Sequence, residues 1–298
     1  MDAAEAGTGT LLVVGTPIGN LSDASPRSLD ALRSADVVLA EDTRVTGRLL
    51  ARFGIEAPLE RADENVLARR VPEVLGRLRS GERVAFASDA GMPCVSDPGQ
   101  RLVDAVLDAG LPAEVLPGPS AVTCAVAAAG LRCDRFLFCG FLERRPAALD
   151  SQLRELLRVP AALVASESPH RAARTLAAVA ALVPGRRVAL CRELTKVHEE
   201  VVRGTAEEVA REVASRERVQ GECVVVVEQP APGELAELAR AGEEEPLEDA
   251  VARGLAAGEA PSRLARRLAR ERGLSRRDVY DLVVRAAGDE GEGGPGRP

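Results

Sequence analysis

Four short loops within residues 15–121 combine glycine, proline and small side chains in a way that suits a ligand pressed against backbone. They are Gly15-Thr16-Pro17-Ile18-Gly19-Asn20, Glu41-Asp42-Thr43-Arg44, Ser88-Asp89-Ala90-Gly91-Met92-Pro93 with Ser96-Asp97-Pro98-Gly99 behind it, and Pro117-Gly118-Pro119-Ser120-Ala121. Each follows an apolar, β-branched run, which places it at the carboxyl end of a strand, where open α/β sheets bind ligands. The lack of side-chain bulk lets carbonyls and amides approach a ligand closely. A cationic, partly apolar cofactor suits carbonyl-lined walls better than an anionic phosphate does.

Two polar clusters lie further on: Glu167-Ser168-Pro169-His170-Arg171, and the run from Arg192 to Glu199. Pro169 reads as a first helical residue and His170 as a first-turn side chain facing water. The run from Arg192 reads as an extended segment, with Glu193 and Thr195 on one face and Arg192, Leu194 and Lys196 on the other. An edge strand carrying charges against aggregation explains the same pattern.

Other chemistries lack their motifs. The loop at Gly15 follows a strand but is not GxGxxG, and GxxxxGK, GxSxG, HExxH and EF-hand patterns are missing. Six cysteines form no CxxC pair, so neither a disulfide framework nor a metal site is expected. The net charge of −7 argues against indiscriminate coating of nucleic acid. No apolar run reaches membrane-span length, and the first residues lack a secretory pattern, so a cytoplasmic protein without membrane contact is expected. The composition is strongly biased: one lysine, Lys196, stands against 38 arginines, and there are two His, two Asn and two Ile. Four of these rare residues fall in two segments, Ile18 with Asn20 and Lys196 with His198.

The elements that must position these groups alternate as α/β layers with largely parallel sheets. Strands are expected at Leu11 to Gly15, Val37 to Ala40, Val84 to Ala87, Glu114 to Leu116, Phe136 to Phe141, Ala162 to Ala165, Arg187 to Cys191, Val201 to Arg203 and Cys223 to Val227. Helices are expected after Ser25-Pro26, over Thr46 to Phe53 and Val66 to Leu78, after Asp97-Pro98 and Ser168-Pro169, and from Thr205, whose spacing to Glu208 makes a capping box. The turn at Pro117-Gly118-Pro119 suggests a domain junction, giving α/β domains over 1–118 and 119–228. A helical tail over 229–287 and a disordered end over 288–298 complete the expected organisation. Within the tail, helix, Gly273 turn, Ser275 cap and helix resemble a helix-turn-helix, though a small bundle with a wet arginine face suffices.

The ordered segments GTPIGNLSDASPRSLDAL, AEDTR, SDAGMPCVSDPG, LPGPSAV, GFLERR, ESPHR, RELTKVHEEVVRGT and GECVVVVE, spread over residues 11–228, resemble the ribosomal RNA 2′-O-methyltransferase branch of the tetrapyrrole methylase superfamily. Departures fall at Ser166, where that branch has an aromatic, at Val45, where it has His, across Arg61 to Asn65, and at Gln220 in place of Lys. The resemblance implies two α/β domains with a small helical extension, S-adenosylmethionine in the cleft between them, no metal, a homodimer, and methylation of a cytidine ribose in the decoding region of 16S ribosomal RNA or the small subunit. It places Thr16, Pro17, Ser88, Asp89, Ala90, Gly91, Met92, Pro93, Ser120, Ala121, Leu142 and Arg192 on the cofactor. Arg44, Glu167, His170 and Arg171 then meet the substrate, and Lys196, Glu193 or Asp42 assists removal of the hydroxyl proton or stabilises the alkoxide. Two other readings remain open at this level. One is a methylase of a small tetrapyrrole, for which six aromatics offer few faces; the other is a nucleic-acid-binding regulator acting through residues 259–285.

Overall fold

A computed structural model describes residues 7–95, 99–236, 238 and 247–289. The chain forms two compact units, Met1–Pro230 and Ala231–Pro298. The larger unit contains two five-stranded sheets.

In the first sheet β1 (Leu11–Val14), β2 (Val37–Ala40), β3 (Leu59–Arg61), β4 (Val84–Ala87) and β5 (Ala113–Leu116) are ordered β3-β2-β4-β1-β5, all parallel. Strands β1, β2 and β4 are buried along their whole length because helices cover both faces. Leu11, Val13, Leu39 and Phe86 pack with α3 (Glu64–Arg79) and α4 (Gln100–Asp108). Their alternating neighbours Leu12, Val14, Val38 and Ala85 pack with α1 (Pro26–Ser34) and α2 (Thr43–Arg52). The chain leaves the adjacent strands β1 and β4 in opposite directions, toward β2 and β5, and a crevice opens beyond their carboxyl ends.

The second sheet has the order β6-β7-β10-β8-β9, built from β6 (Phe136–Phe141), β7 (Ala162–Glu167), β8 (Arg187–Arg192), β9 (Glu200–Thr205) and β10 (Cys223–Val227). Only β6 and β7 run parallel; the other three pairings are antiparallel. The expectation of largely parallel sheets thus holds for the first sheet and not for the second. Seven residues separate β8 from β9, too few for the crossover a parallel pair requires. α5 (Ala121–Ala129) lays Val122, Ala125 and Ala129 on one face, against Val164, Ala189, Cys191 and Val226. α7 (Pro169–Leu182) and α8 (Ala206–Ala214) pack on the strands from outside, with α6 (Pro146–Leu156) against α7.

Local signals set most boundaries. Ser25 accepts the Ser28 N–H at the start of α1, and Thr205 and Glu208 form the reciprocal capping box at α8. α2 begins one turn before the expected Thr46 because the Asp42 carboxylate caps it. The cap expected at Asp97-Pro98 lies outside the described residues, and the helix behind it starts at Gln100. In the smaller unit α9 (Leu247–Ala256), α10 (Pro261–Arg272) and α11 (Arg276–Asp289) enclose a core of Val251, Leu264, Leu268, Val279 and Val283, with Gly273 left-handed after α10. The end expected to be disordered beyond residue 289 and residues 239–246 of the acidic connector lie outside the described residues. No described helix is long and apolar enough to cross a membrane.

Candidate active site

The loops after β1, β4 and β5 are locked together before any ligand is considered. Thr16 N–H donates to the Gly91 carbonyl at 2.9 Å and Gly91 N–H returns a bond to the Thr16 carbonyl at 3.2 Å. The buried Thr16 hydroxyl donates to the Ser88 carbonyl at 3.1 Å. Gly15 and Gly118 approach so closely that a Cβ on Gly15 would lie 2.6 Å from the Gly118 nitrogen, and Gly118 N–H points at the Met92 sulfur, 3.1 Å away. Gly91 adopts φ +87°, a conformation L side chains rarely take, with the Pro119 carbonyl within 3.4 Å of where its Cβ would be. Ser120 and Ala121 follow directly, at the start of α5.

The β1 loop also reaches across to the second sheet. Ile18 is buried in the core that contains Leu194, Cys191 and α5. Asn20 N–H donates to the Thr195 hydroxyl at 3.1 Å, and a Cβ on Gly19 would fall 2.5 Å from Lys196 Cγ. The rare residues Ile18, Asn20 and Lys196, distant in sequence, therefore meet at one contact; His198 lies beside it on the exposed tip with Val197.

The segment between β8 and β9 is not the extended run its charge pattern suggested. Glu193 and Thr195 take left-handed φ values of 52° and 64°, folding a turn in which Lys196 N–H bonds back to the Glu193 carbonyl at 3.0 Å. Glu193 and Lys196 thereby come to the same side, with Nζ 2.9 Å from Glu193 Oε1 and 3.3 Å from Glu222 Oε2. Partial burial opposes the charge on Lys196, but its hydrogen bonds and charge contacts with Glu193 and Glu222 outweigh that and raise its pKa. The same bond from Lys196, joined by the Glu222 N–H, holds Glu193 below the usual carboxylate range.

The β1 and β4 loops, α2 and the Lys196 turn wall a cleft of about 530 Å³ lined by Thr16, Pro17, Ser88, Asp89, Ala90 and Lys196 among the expected residues. Gly91, Met92, Pro93, Ser120, Ala121, Leu142 and Arg192 do not line it. Ile18 and Gly19 of the expected Gly15 to Asn20 loop also line the cleft, whereas sequence reasoning missed Leu21, the α2 residues Val45, Thr46, Arg48 and Leu49, and Glu222. The α2 group is a single helix face, readable only once Asp42 is recognised as the cap. Thr46 is 2% exposed and its hydroxyl has no hydrogen-bond partner among the described residues.

Other expected residues sit elsewhere. Asp42 and Arg44 border a neighbouring cavity of about 540 Å³ with Glu41, Arg61, Asp63 and Asp89. Asp42 caps α2 and pairs with Arg44 at 2.6 Å, and this partner holds its carboxyl far below the usual range. Arg192 donates to Glu200 at 3.0 Å and shares a concavity with Arg216 and Arg218. Glu167 is buried, accepting from Ser168 N–H at 2.7 Å, Arg171 at 2.6 Å and the Thr175 hydroxyl at 2.6 Å. Arg171 extends this network to the Leu142 carbonyl at 3.1 Å, and His170 is exposed at the start of α7.

The cleft fits S-adenosylmethionine. Its volume falls in the range of small-ligand pockets. Asp89 and Glu222 complement a cationic donor, the glycine loops admit close backbone contact, and the Thr46 hydroxyl is a polar group still lacking a partner.

Residues 10–210 match the family model described as Tetrapyrrole (Corrin/Porphyrin) Methylases. A Mycobacterium bovis protein named ribosomal RNA small subunit methyltransferase I is 43% identical over 98% of this chain and 99% of its own length. A Thermotoga maritima protein of the same name is 41% identical over 74% of this chain and 98% of its own. Among solved structures, uroporphyrin-III C-methyltransferase from Thermus thermophilus complexed with S-adenosyl homocysteine shares the fold, with a TM-score of 0.52 and 21% identity over 80% of this chain and 96% of its own. The chain therefore belongs to the tetrapyrrole methylase family, within the group of ribosomal RNA small subunit methyltransferase I, and is an S-adenosylmethionine-dependent methyltransferase.

Proposed function

We propose that this enzyme methylates the ribose 2′-oxygen of a cytidine in 16S ribosomal RNA, acting in the cytoplasm as a homodimer whose two sheets form domains joined near residue 118. The observation that carries the reading is the Lys196 ammonium, presented at a cleft whose walls come from both sheets. Bound S-adenosylmethionine supplies a methyl group already activated on a sulfonium. What is left to the protein is alignment and the charge of a hydroxyl that is a poor nucleophile when neutral.

Glu193 and Glu222 keep Lys196 charged at neutral pH, so it acts by stabilising negative charge growing on the ribose oxygen rather than as a neutral base. Glu193, tied to Lys196 and to the Glu222 N–H, fixes the ammonium in place. Glu222 at the rim is positioned to accept the hydroxyl proton. Thr16, Pro17 and Ser88 to Ala90 contact the donor, with Gly91 to Pro93, Ser120 and Ala121 shaping that wall. Arg44, His170 and Arg192 face the RNA, while Glu167 and Arg171 position the Leu142 loop.

Mass mapping of nucleosides in small-subunit RNA, after incubation of small subunits with purified protein and labelled donor, tests the reading. One 2′-O-methylated cytidine is expected; label confined to a base, or none, would refute it. Lys196→Ala should lower turnover roughly 100-fold, and Lys196→Arg much less.

A further inference from the structure

Helix α2 forms one wall of the cleft through Val45, Thr46, Arg48 and Leu49. Its sequence, TRVTGRLLAR, contains no acid, and Arg44, Arg48 and Arg52 recur every fourth residue, all exposed. Like charges at that spacing disfavour a helix. In contrast, α1, α3, α6 and α8 each pair an arginine with an acid one turn away: Arg33 with Asp30, Arg77 with Glu73, Arg154 with Asp150 and Arg211 with Glu207. Arg44 is answered by Asp42 at 2.6 Å. Arg48 and Arg52 have no carboxylate partner among the described residues; Arg52 only stacks on Phe53, 5.7 Å from its ring centroid. On a chain of net charge −7, two uncompensated guanidinium groups on one ridge at the cleft's edge call for an anionic partner outside the chain.

Resting on the ribosomal RNA reading, we infer that Arg48 and Arg52 on α2 form a track for consecutive phosphates of the substrate strand, which delivers the target ribose to the cleft. One step along the track is about 6 Å, four residues of helix rise, the same order as the phosphate step of an extended strand. Guanidinium groups bind phosphate in a planar, two-point manner that backbone recognition favours. Arg48 is the inner contact because it lines the cleft, and Arg52, one turn further along, is the outer one. Neither residue reads sequence; both fix register.

The test is methyl transfer from labelled donor to unmethylated small ribosomal subunits between 50 and 200 mM salt, roughly the range over which phosphate contacts dominate affinity. The Arg48→Gln/Arg52→Gln double variant should raise KM for small subunits roughly tenfold and flatten the slope of log KM against log salt by about 1.4. Arg48→Lys/Arg52→Lys should retain most of the slope, and Arg154→Gln, which removes an exposed charge from α6, should retain all of it. Donor affinity by calorimetry and melting temperature are read on the same preparations. An active wild type with unchanged KM and slope in the double variant would overturn the track alone. A loss of donor affinity with KM for small subunits unchanged would reassign Arg48 to the donor and also overturn it. A wild type that methylates no ribosomal RNA would refute the functional reading and the track with it.

Discussion

Gly19→Ala isolates the contact that joins the β1 loop to the Lys196 turn. The backbone at Gly19 is outside the left-handed region, so alanine is conformationally acceptable and only its neighbours resist it. An added Cβ would lie 2.5 Å from Lys196 Cγ, 2.8 Å from the Thr195 hydroxyl and 3.1 Å from the Leu194 carbonyl. The lysine side chain can swing away. Thr195 is less free because it is β-branched and accepts the Asn20 N–H, and the Leu194 carbonyl is backbone anchored by a buried side chain. Relief thus requires the loop and turn to part by about 1 Å, at a cost of ~1–3 kcal/mol for overpacking. Loss of the Asn20 bond adds ~1 kcal/mol. On the proposed role of Lys196, the kinetic effect should be larger than the loss of stability suggests, since displacing a charge that serves the reacting oxygen by about 1 Å costs on the order of 100-fold in rate. Turnover at saturating donor and RNA, donor affinity by calorimetry and urea unfolding would be measured together. A folded Gly19→Ala protein turning over within about twofold of wild type would refute the argument that this contact places Lys196. Gly76→Ala is the control: nothing lies within 4 Å of its Cβ in the last turn of α3, and it should stabilise by up to about 1 kcal/mol.

Glu167→Ala would strand the half-buried Arg171 and should lower unfolding stability by ~3 kcal/mol in urea titration; a change below 1 kcal/mol, roughly the worth of a surface pair, would show the network to be loose. Glu200, held to about 2 from an ordinary 4.5 by Arg216 and then Arg192, contributes stability that is complete above its unfolded value and fades as pH falls through about 2. Discounted for its one-third exposure, Glu200→Gln should cost ~1–2 kcal/mol at pH 7 and almost nothing near pH 2, and an equal loss at both would contradict the assignment. Thr46→Val removes an unpartnered buried hydroxyl, so melting temperature should hold or rise while donor affinity falls about fivefold, one hydrogen bond's worth; unchanged affinity would mean that the hydroxyl does not meet the donor.

The first sheet is legible because it is covered on both sides: Leu11 to Val14, Val37 to Ala40 and Val84 to Ala87 are unbroken apolar runs bounded by turn residues. β3 escapes because Leu59-Glu60-Arg61 is a short polar edge strand with no period to detect. The strand-end loops announce the cleft through glycine and proline, and Lys196 through its rarity. The turn at Glu193 to Glu199 is illegible because its left-handed residues are not glycine, so alternating charge imitates a strand. Glu167 and Arg171, polar in sequence, look available for substrate, yet the fold closes them on each other and on the Leu142 carbonyl. Glu222 carries no pattern of its own; only pairing β10 with β8 brings it beside Lys196.

The turn that presents Lys196 keeps Glu193 and Thr195 in a conformation that costs an L residue roughly 1–2 kcal/mol each. Selection for thermal robustness alone would therefore favour glycine or asparagine at both places and reward the loss of the carboxylate that holds the ammonium and of the hydroxyl that ties the turn to the β1 loop. Directed evolution of a hardier variant is expected to drift toward a tougher but idle enzyme unless turnover is screened at every round.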